Sequence, residues 1–138
     1  MQGNNTAETG LRLELVQTAT FTAAIHCGLK ERNTGLIHSL DDARWVCQEF
    51  VDRVGLCLSF TPTEYIYTNG SEPGVIVGLI NYPRFPSGED EIRKKALDLA
   101  EALMLAFNQY AMSVVCQDVT VMLVNPALKT QNSPEAYD

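Results

Sequence analysis

A chain of 138 residues with 46% hydrophobic content is long enough to bury one ordinary core and too short for two. Its formal charge of −7 opposes attraction to nucleic-acid phosphates or anionic membrane surfaces, which need a surplus of Lys and Arg, and suits a cationic or neutral small molecule better. No run approaches the roughly 18 apolar residues of a membrane span and no charged leader precedes an apolar stretch, so a soluble, cytoplasmic protein is expected.

Residues 1–17 mix Asn, Thr, Gly and Glu with a short Leu-Arg-Leu-Glu-Leu alternation and read as a flexible amino-terminal arm. The polar segment 126–138 carries two prolines and reads as a flexible tail, leaving 18–125 as the folded domain. Within it, Thr18 to His26 is a first strand of small and β-branched residues, followed by a loop through Gly28 and Gly35. Ser39 with Asp42 fits a helix-capping pattern. Leu40, Ala43, Val46, Cys47, Phe50 and Val54 then recur at helical spacing until Gly55 offers a left-handed stop.

A second strand runs from about Leu56 to Tyr67, with Pro62 demanding a bulge or an edge position because it cannot donate to a ladder. Asn69-Gly70 and Pro73-Gly74 follow, the signature of a hairpin turn, and they set Glu72 at its polar tip. The third strand, Val75 to Tyr82, is apolar almost throughout and reads as covered on both faces. Ser87 with Asp90 opens the second helix, whose stripe is Ile92, Ala96, Leu99, Ala100, Leu103 and Phe107, with Glu89, Asp90 and Glu91 in the first turn where the helix dipole favours them. A last strand spans Ser113 to Val124.

This order predicts an α+β, ferredoxin-like βαββαβ sandwich: a four-stranded antiparallel sheet with two helices on one face. Two helices leave the other face bare. An apolar third strand then calls for a second subunit there, and a homo-oligomer, most naturally a trimer, is expected. RNA recognition domains share the order of elements, but the third strand here lacks their basic residue and most of their stacking aromatics.

The candidate chemistry centres on the hairpin. Glu72 is either an inert loop carboxylate or an acid held at a subunit cleft. Tyr65 and Tyr67, two apart on one side of a strand, are either a packing pair or a platform for a flat ring. Gln109 either satisfies the free carbonyls at the end of the second helix or points into a cleft, and Asp118 is either a bulge residue or an inward acid. The four cysteines sit in apolar stretches without a C-x-x-C pair and read as buried free thiols. His26 and His38 are not spaced as a shared ligand set, no metal or cofactor is signalled, and both histidines read as ordinary.

From about Thr20 to Leu123 the arrangement resembles the phage-type S-adenosylmethionine (SAM) lyases, formerly called hydrolases, which are small ferredoxin-like trimers with the ligand between subunits. The resemblance rests on an opening strand and long polar loop, the Gly-led strand at Gly55-Leu-Cys-Leu58, the acid in the hairpin and the Gln before the last strand. It implies that Glu72 is catalytic and that Gln109 helps to bind substrate. Position 57 is Cys, which leaves the family's tyrosine role to Tyr65 or Tyr67. The implied reaction splits SAM into methylthioadenosine and homoserine lactone without metal or cofactor. A rival resemblance is to the PII and divalent-cation-tolerance proteins, non-enzymatic trimers that bind small molecules at subunit clefts, although their long basic loop is absent. A plain oligomeric interaction module is the third reading.

Overall fold

The computed structural model describes residues 12–128. Strand β1 (Thr22–Gly28) alternates buried Ala23, Ile25 and Cys27 with half-buried Ala24, His26 and Gly28, the period of two expected when one face of a sheet is dry. Helix α1 (Leu40–Val54) begins where the Asp42 amide donates to the Ser39 hydroxyl at 3.0 Å and ends at Gly55, whose φ of 75° is open to glycine without a Cβ clash. Ala43, Cys47 and Phe50 are its buried stripe.

Strand β2 (Ser59–Tyr67) and strand β3 (Gly70–Ile80) form the central hairpin, α2 (Glu89–Phe107) packs beside α1, and β4 (Ala111–Cys116) and β5 (Thr120–Val124) close the chain before a short 3-10 turn at Pro126–Leu128. All strand pairs are antiparallel, in the order β2-β3-β1-β4-β5. Ile25, Val75, Val77, Leu99, Leu103, Met112 and Val114 are fully or almost fully excluded from solvent between this sheet and the helices. Among the described residues, no helix is long and apolar enough to cross a membrane.

Among the described residues, five strands replace the expected four. The segment read as one strand from Ser113 to Val124 folds back on itself, because Gln117-Asp118 supplies a polar turn: the Cys116 amide donates to the Val119 carbonyl at 2.8 Å, and the Val119 amide donates to the Asp118 carboxylate at 2.9 Å. The first four strands keep the ferredoxin-like order, and β5 adds an edge beyond β4. The other edge is β2, which resolves the demand made by Pro62.

Glu72 is not at the tip of the hairpin. The turn is Thr68-Asn69, with Asn69 at φ 63°, and Glu72 lies inside β3 opposite Tyr65. Pro73 does not interrupt the strand: its carbonyl accepts from the Leu29 amide at 3.0 Å, so its nitrogen faces the side on which β1 has already ended and no ladder donor is lost. Ser87 is not the cap of α2 either. Gly88 occupies that position, while the Ser87 hydroxyl donates to Glu91 at 2.6 Å and the Ser87 amide donates to the Asn81 side chain at 2.8 Å.

Cys27, Cys47 and Cys116 are buried free thiols, but Cys57 is exposed, because it lies in the irregular segment between Gly55 and β2. The arm read over 1–17 and the tail read over 126–138 fall mostly outside the described residues.

Candidate active site on the open sheet face

Residues paired directly across antiparallel strands share a face. Buried Val75 and Val77 face the helices, so their neighbours on β3 face away, and the register carries whole rows with them. One row on the open face is Tyr65 and Glu72, the next is Gly74 and Gly28, and the third runs Ile76, His26, Ser113 and Met122. Over these rows lies a cavity of about 450 Å³, whose lining includes His26, Gly28, Tyr65, Tyr67, Glu72 and Ser113, with Met112, Val115 and Thr120 on the β4–β5 side.

Gly28 lines this cavity, and its β3 partner Gly74 lies beside it under the Tyr65 ring. A Cβ on Gly28 would run into the Glu72 carboxylate, and a Cβ on Gly74 would run into the Tyr65 ring. The carboxylate therefore lies over bare backbone on β1, and the ring crosses β3 diagonally. Its hydroxyl ends 3.1 Å from Nδ1 of His26, two rows away. Tyr67 lies over its own partner, Gly70.

Glu72 is held from below. The Lys30 amide donates to Oε2 of Glu72 at 3.1 Å, and Gln109 grips the other side of the same residue: its Nε2 donates to the Lys30 carbonyl at 3.1 Å and to the Phe107 carbonyl at 3.2 Å. Of the two sequence readings of Gln109, the structure shows the one in which it satisfies a carbonyl at the end of α2, and it does not point into the cavity. It is buried behind the acid, with its Oε1 3.5 Å from the position of a Cβ on Gly28.

The loop that carries Lys30 is anchored by a second polar cluster. The buried Glu31 carboxylate accepts from Thr34 at 3.0 Å and from Asn108 at 3.3 Å, and pairs with Nε2 of His38 at 2.8 Å. The His38 ring rests against Phe107, with centroids 4.9 Å apart. Asn108, at φ 51°, ends α2 in the left-handed conformation that brings its amide to Glu31. The His38 hydrogen bond holds the Glu31 carboxyl below its ordinary value of 4.5. A lowered carboxyl contributes stability above its unfolded value and loses it as pH falls through the folded one. The melting temperature of the protein is therefore expected to fall on acidification below about pH 4.5, and Glu31→Gln should flatten that dependence. A Glu31→Gln variant as acid-labile as the parent in thermal melts would remove this pair from the account.

Burial, followed by the nearby Cys27 and Glu72, pushes the Tyr65 hydroxyl far above its ordinary range, so it stays protonated. The Cys27 thiol beneath it is pushed up to about 12, first by burial and then by Cys47 and Glu72, and is no nucleophile at neutral pH. No group of three His, Cys, Asp or Glu among the described residues is arranged to hold a metal ion.

The structure brings Glu72, Tyr65 and Tyr67 together, with Gln109 behind them. It does not bring Asp118. That residue sits in the β4–β5 turn in a forked ion pair with Arg93, at 3.1 and 2.9 Å, and is not among the residues that line the cavity. Conversely, His26 and Gly28 line the cavity although neither stands out in the sequence. The alternation of β1 puts both on one face, but only the β1–β3 register sets them beside Tyr65 and Glu72.

No family model matches the chain, and no curated protein matches it in sequence. Its fold, however, resembles that of two solved structures. A phage SAM lyase in its apo state superposes with a TM-score of 0.66 over 76% of this chain and 89% of that one, at 19% identity. A phage SAM lyase in complex with S-methyl-5'-thioadenosine gives a TM-score of 0.66 over 77% of this chain and 90% of that one, at 18% identity. The chain has the phage SAM lyase fold. What it shares with the phage SAM lyases at this identity is architecture, including nearly the whole length of their chains, and the ferredoxin-like expectation holds with the addition of β5.

Proposed function

We propose that this protein is a SAM-degrading lyase that releases methylthioadenosine and homoserine lactone, and that the cavity over Gly28 and Gly74 is its active site. The observation that carries the proposal is the Glu72 carboxylate, fixed by the Lys30 amide over Gly28 at the edge of a cavity of about 450 Å³ walled by tyrosines. That volume lies within the ordinary range for a small-molecule site. Its support from outside the chain is the fold shared with a SAM lyase that binds S-methyl-5'-thioadenosine.

The chemistry asks little of the protein. A carboxylate oxygen of SAM attacks its own γ-carbon as the carbon–sulfur bond breaks, and the bonding pair stays on sulfur. A sulfonium and a carboxylate become a neutral thioether and a neutral lactone, with no proton transferred in the step. The protein contributes by folding the substrate into a near-attack shape and by placing negative charge and aromatic faces around the cation. Glu72 meets the ammonium or sulfonium end, the tyrosines pack on the adenosine, and Gln109 acts from behind by holding Lys30 and so Glu72.

The open face also bears on assembly. Ile80, Val115, Met122 and Val124 are each about 40–50% exposed on it, beside the cavity that Val115 helps to line. A second copy seated there would cover them and wall the cavity, which fits a trimer with the ligand between subunits.

The test is to incubate purified protein with SAM and separate the products. Methylthioadenosine with homoserine lactone is expected, from a protein that sediments as a trimer. Binding without product would favour the small-molecule-binding trimer, and a monomer at working concentration would contradict the shared cavity. Asp118→Asn is expected to leave product formation unchanged in the same assay, because the turn it occupies is tied to Arg93 and not to the cavity.

A further inference from the structure

The geometry points to His26 as a specificity-determining residue, whose ring N–H binds an acceptor atom on the nucleoside part of the ligand. The inference rests on the proposed use of this cavity, and it adds a residue that neither the sequence pattern nor the fold comparison singles out. His26 belongs to the third row of the open face and lines the cavity beside Ser113, its direct partner on β4. Glu72 stands two rows away. The cavity therefore has a carboxylate end and an imidazole–hydroxyl end, joined by the Tyr65 ring.

Tyr65 bears on the tautomer. Its hydroxyl is kept protonated by burial and by the neighbouring Glu72, so it has one hydrogen to give. Nδ1 of His26 stands 3.1 Å away, and with that hydrogen directed at it the imidazole proton lies on Nε2, the arrangement that this role of His26 requires. An imidazole with its proton on Nε2 is a donor toward the cavity. It suits a purine ring nitrogen or a ribose oxygen and repays nothing to the sulfonium, which belongs at the carboxylate end. Tyr65 in this arrangement does two things: it supplies a face for the ligand and sets the direction in which His26 donates.

Three variants separate ligand contact from simple support of Tyr65. His26→Phe removes both ring nitrogens. His26→Asn keeps an acceptor for the Tyr65 hydroxyl but reaches no farther, and His26→Gln can place an N–H near the former Nε2. Calorimetric titration with methylthioadenosine is expected to show affinity weakened about tenfold in His26→Phe and His26→Asn, the scale of one lost hydrogen bond, and largely restored in His26→Gln. In turnover of SAM, KM should rise while kcat changes little, because the contact is made equally in the ground and transition states. Wild-type affinity in His26→Asn would overturn the inference by reducing His26 to a prop for Tyr65, and wild-type affinity in His26→Phe would overturn it outright. Failure of the wild-type protein itself to bind methylthioadenosine would instead overturn the proposed function, and this inference with it. Melting and sedimentation of each variant identify any loss due to misfolding, in which case the Asn and Gln pair decides.

Discussion

Replacing Glu72 with Gln is expected to lower methylthioadenosine production by at least about 100-fold, the scale on which removing one preorganised electrostatic partner acts, while the fold and assembly persist. The argument is positional. Glutamine has the shape of glutamate, so the contact over Gly28 survives and its oxygen can still accept from the Lys30 amide. What disappears is the negative charge that the proposed cationic substrate would meet. Chromatography of the products against sedimentation of the same sample checks both halves. Unchanged turnover would remove Glu72 from the mechanism.

The second large effect is expected at Gly28. Gly28→Ala introduces a methyl group where the Glu72 carboxylate now lies. The obstacle is the end of a side chain and not backbone, and Gly28 does not have a positive φ, so the strand should form and the carboxylate should move. An acid displaced by about 1 Å from its working position costs on the order of 100-fold in rate. Gly78→Ala is the control. Its methyl group meets the Ser59 hydroxyl elsewhere on the same face and should affect stability without a comparable loss of turnover. Equal losses in the two variants would mean that the open face tolerates no added carbon anywhere and that Gly28 has no particular place in the site.

Helix α1 was fully legible in the sequence, because local chemistry determines its bounds: Ser39 caps it, Gly55 stops it and its stripe packs as the spacing demands. The stripe of α2 was equally legible, and its start was not, since the Ser87 amide is bound by the Asn81 side chain and the Ser87 hydroxyl by Glu91, which leaves Gly88 at the cap. The β4–β5 turn was hidden because Gln117-Asp118 interrupts an otherwise β-rich run without glycine or proline, and what secures Asp118 is Arg93, far away in sequence. For the site, the pairing of Tyr65 and Tyr67 on one face could be read from alternation, whereas Glu72 stood out through the turn residues around it and its place inside β3 did not. The Gly28–Gly74 pair, the His26–Tyr65 bond and the anchoring of the Lys30 loop by Glu31 and His38 depend on strand register, which no local pattern encodes.

A crystal structure of the protein with methylthioadenosine tests the central claim most directly. The adenosine should lie on the open sheet face above Gly28 and Gly74, with Tyr65 against it and Glu72 at its thioether end, and a neighbouring subunit should close the cavity. The nucleoside found instead in the smaller cavity between Leu56, Tyr82, Phe85 and Lys95, with Gly28 and Gly74 bare, would contradict the account.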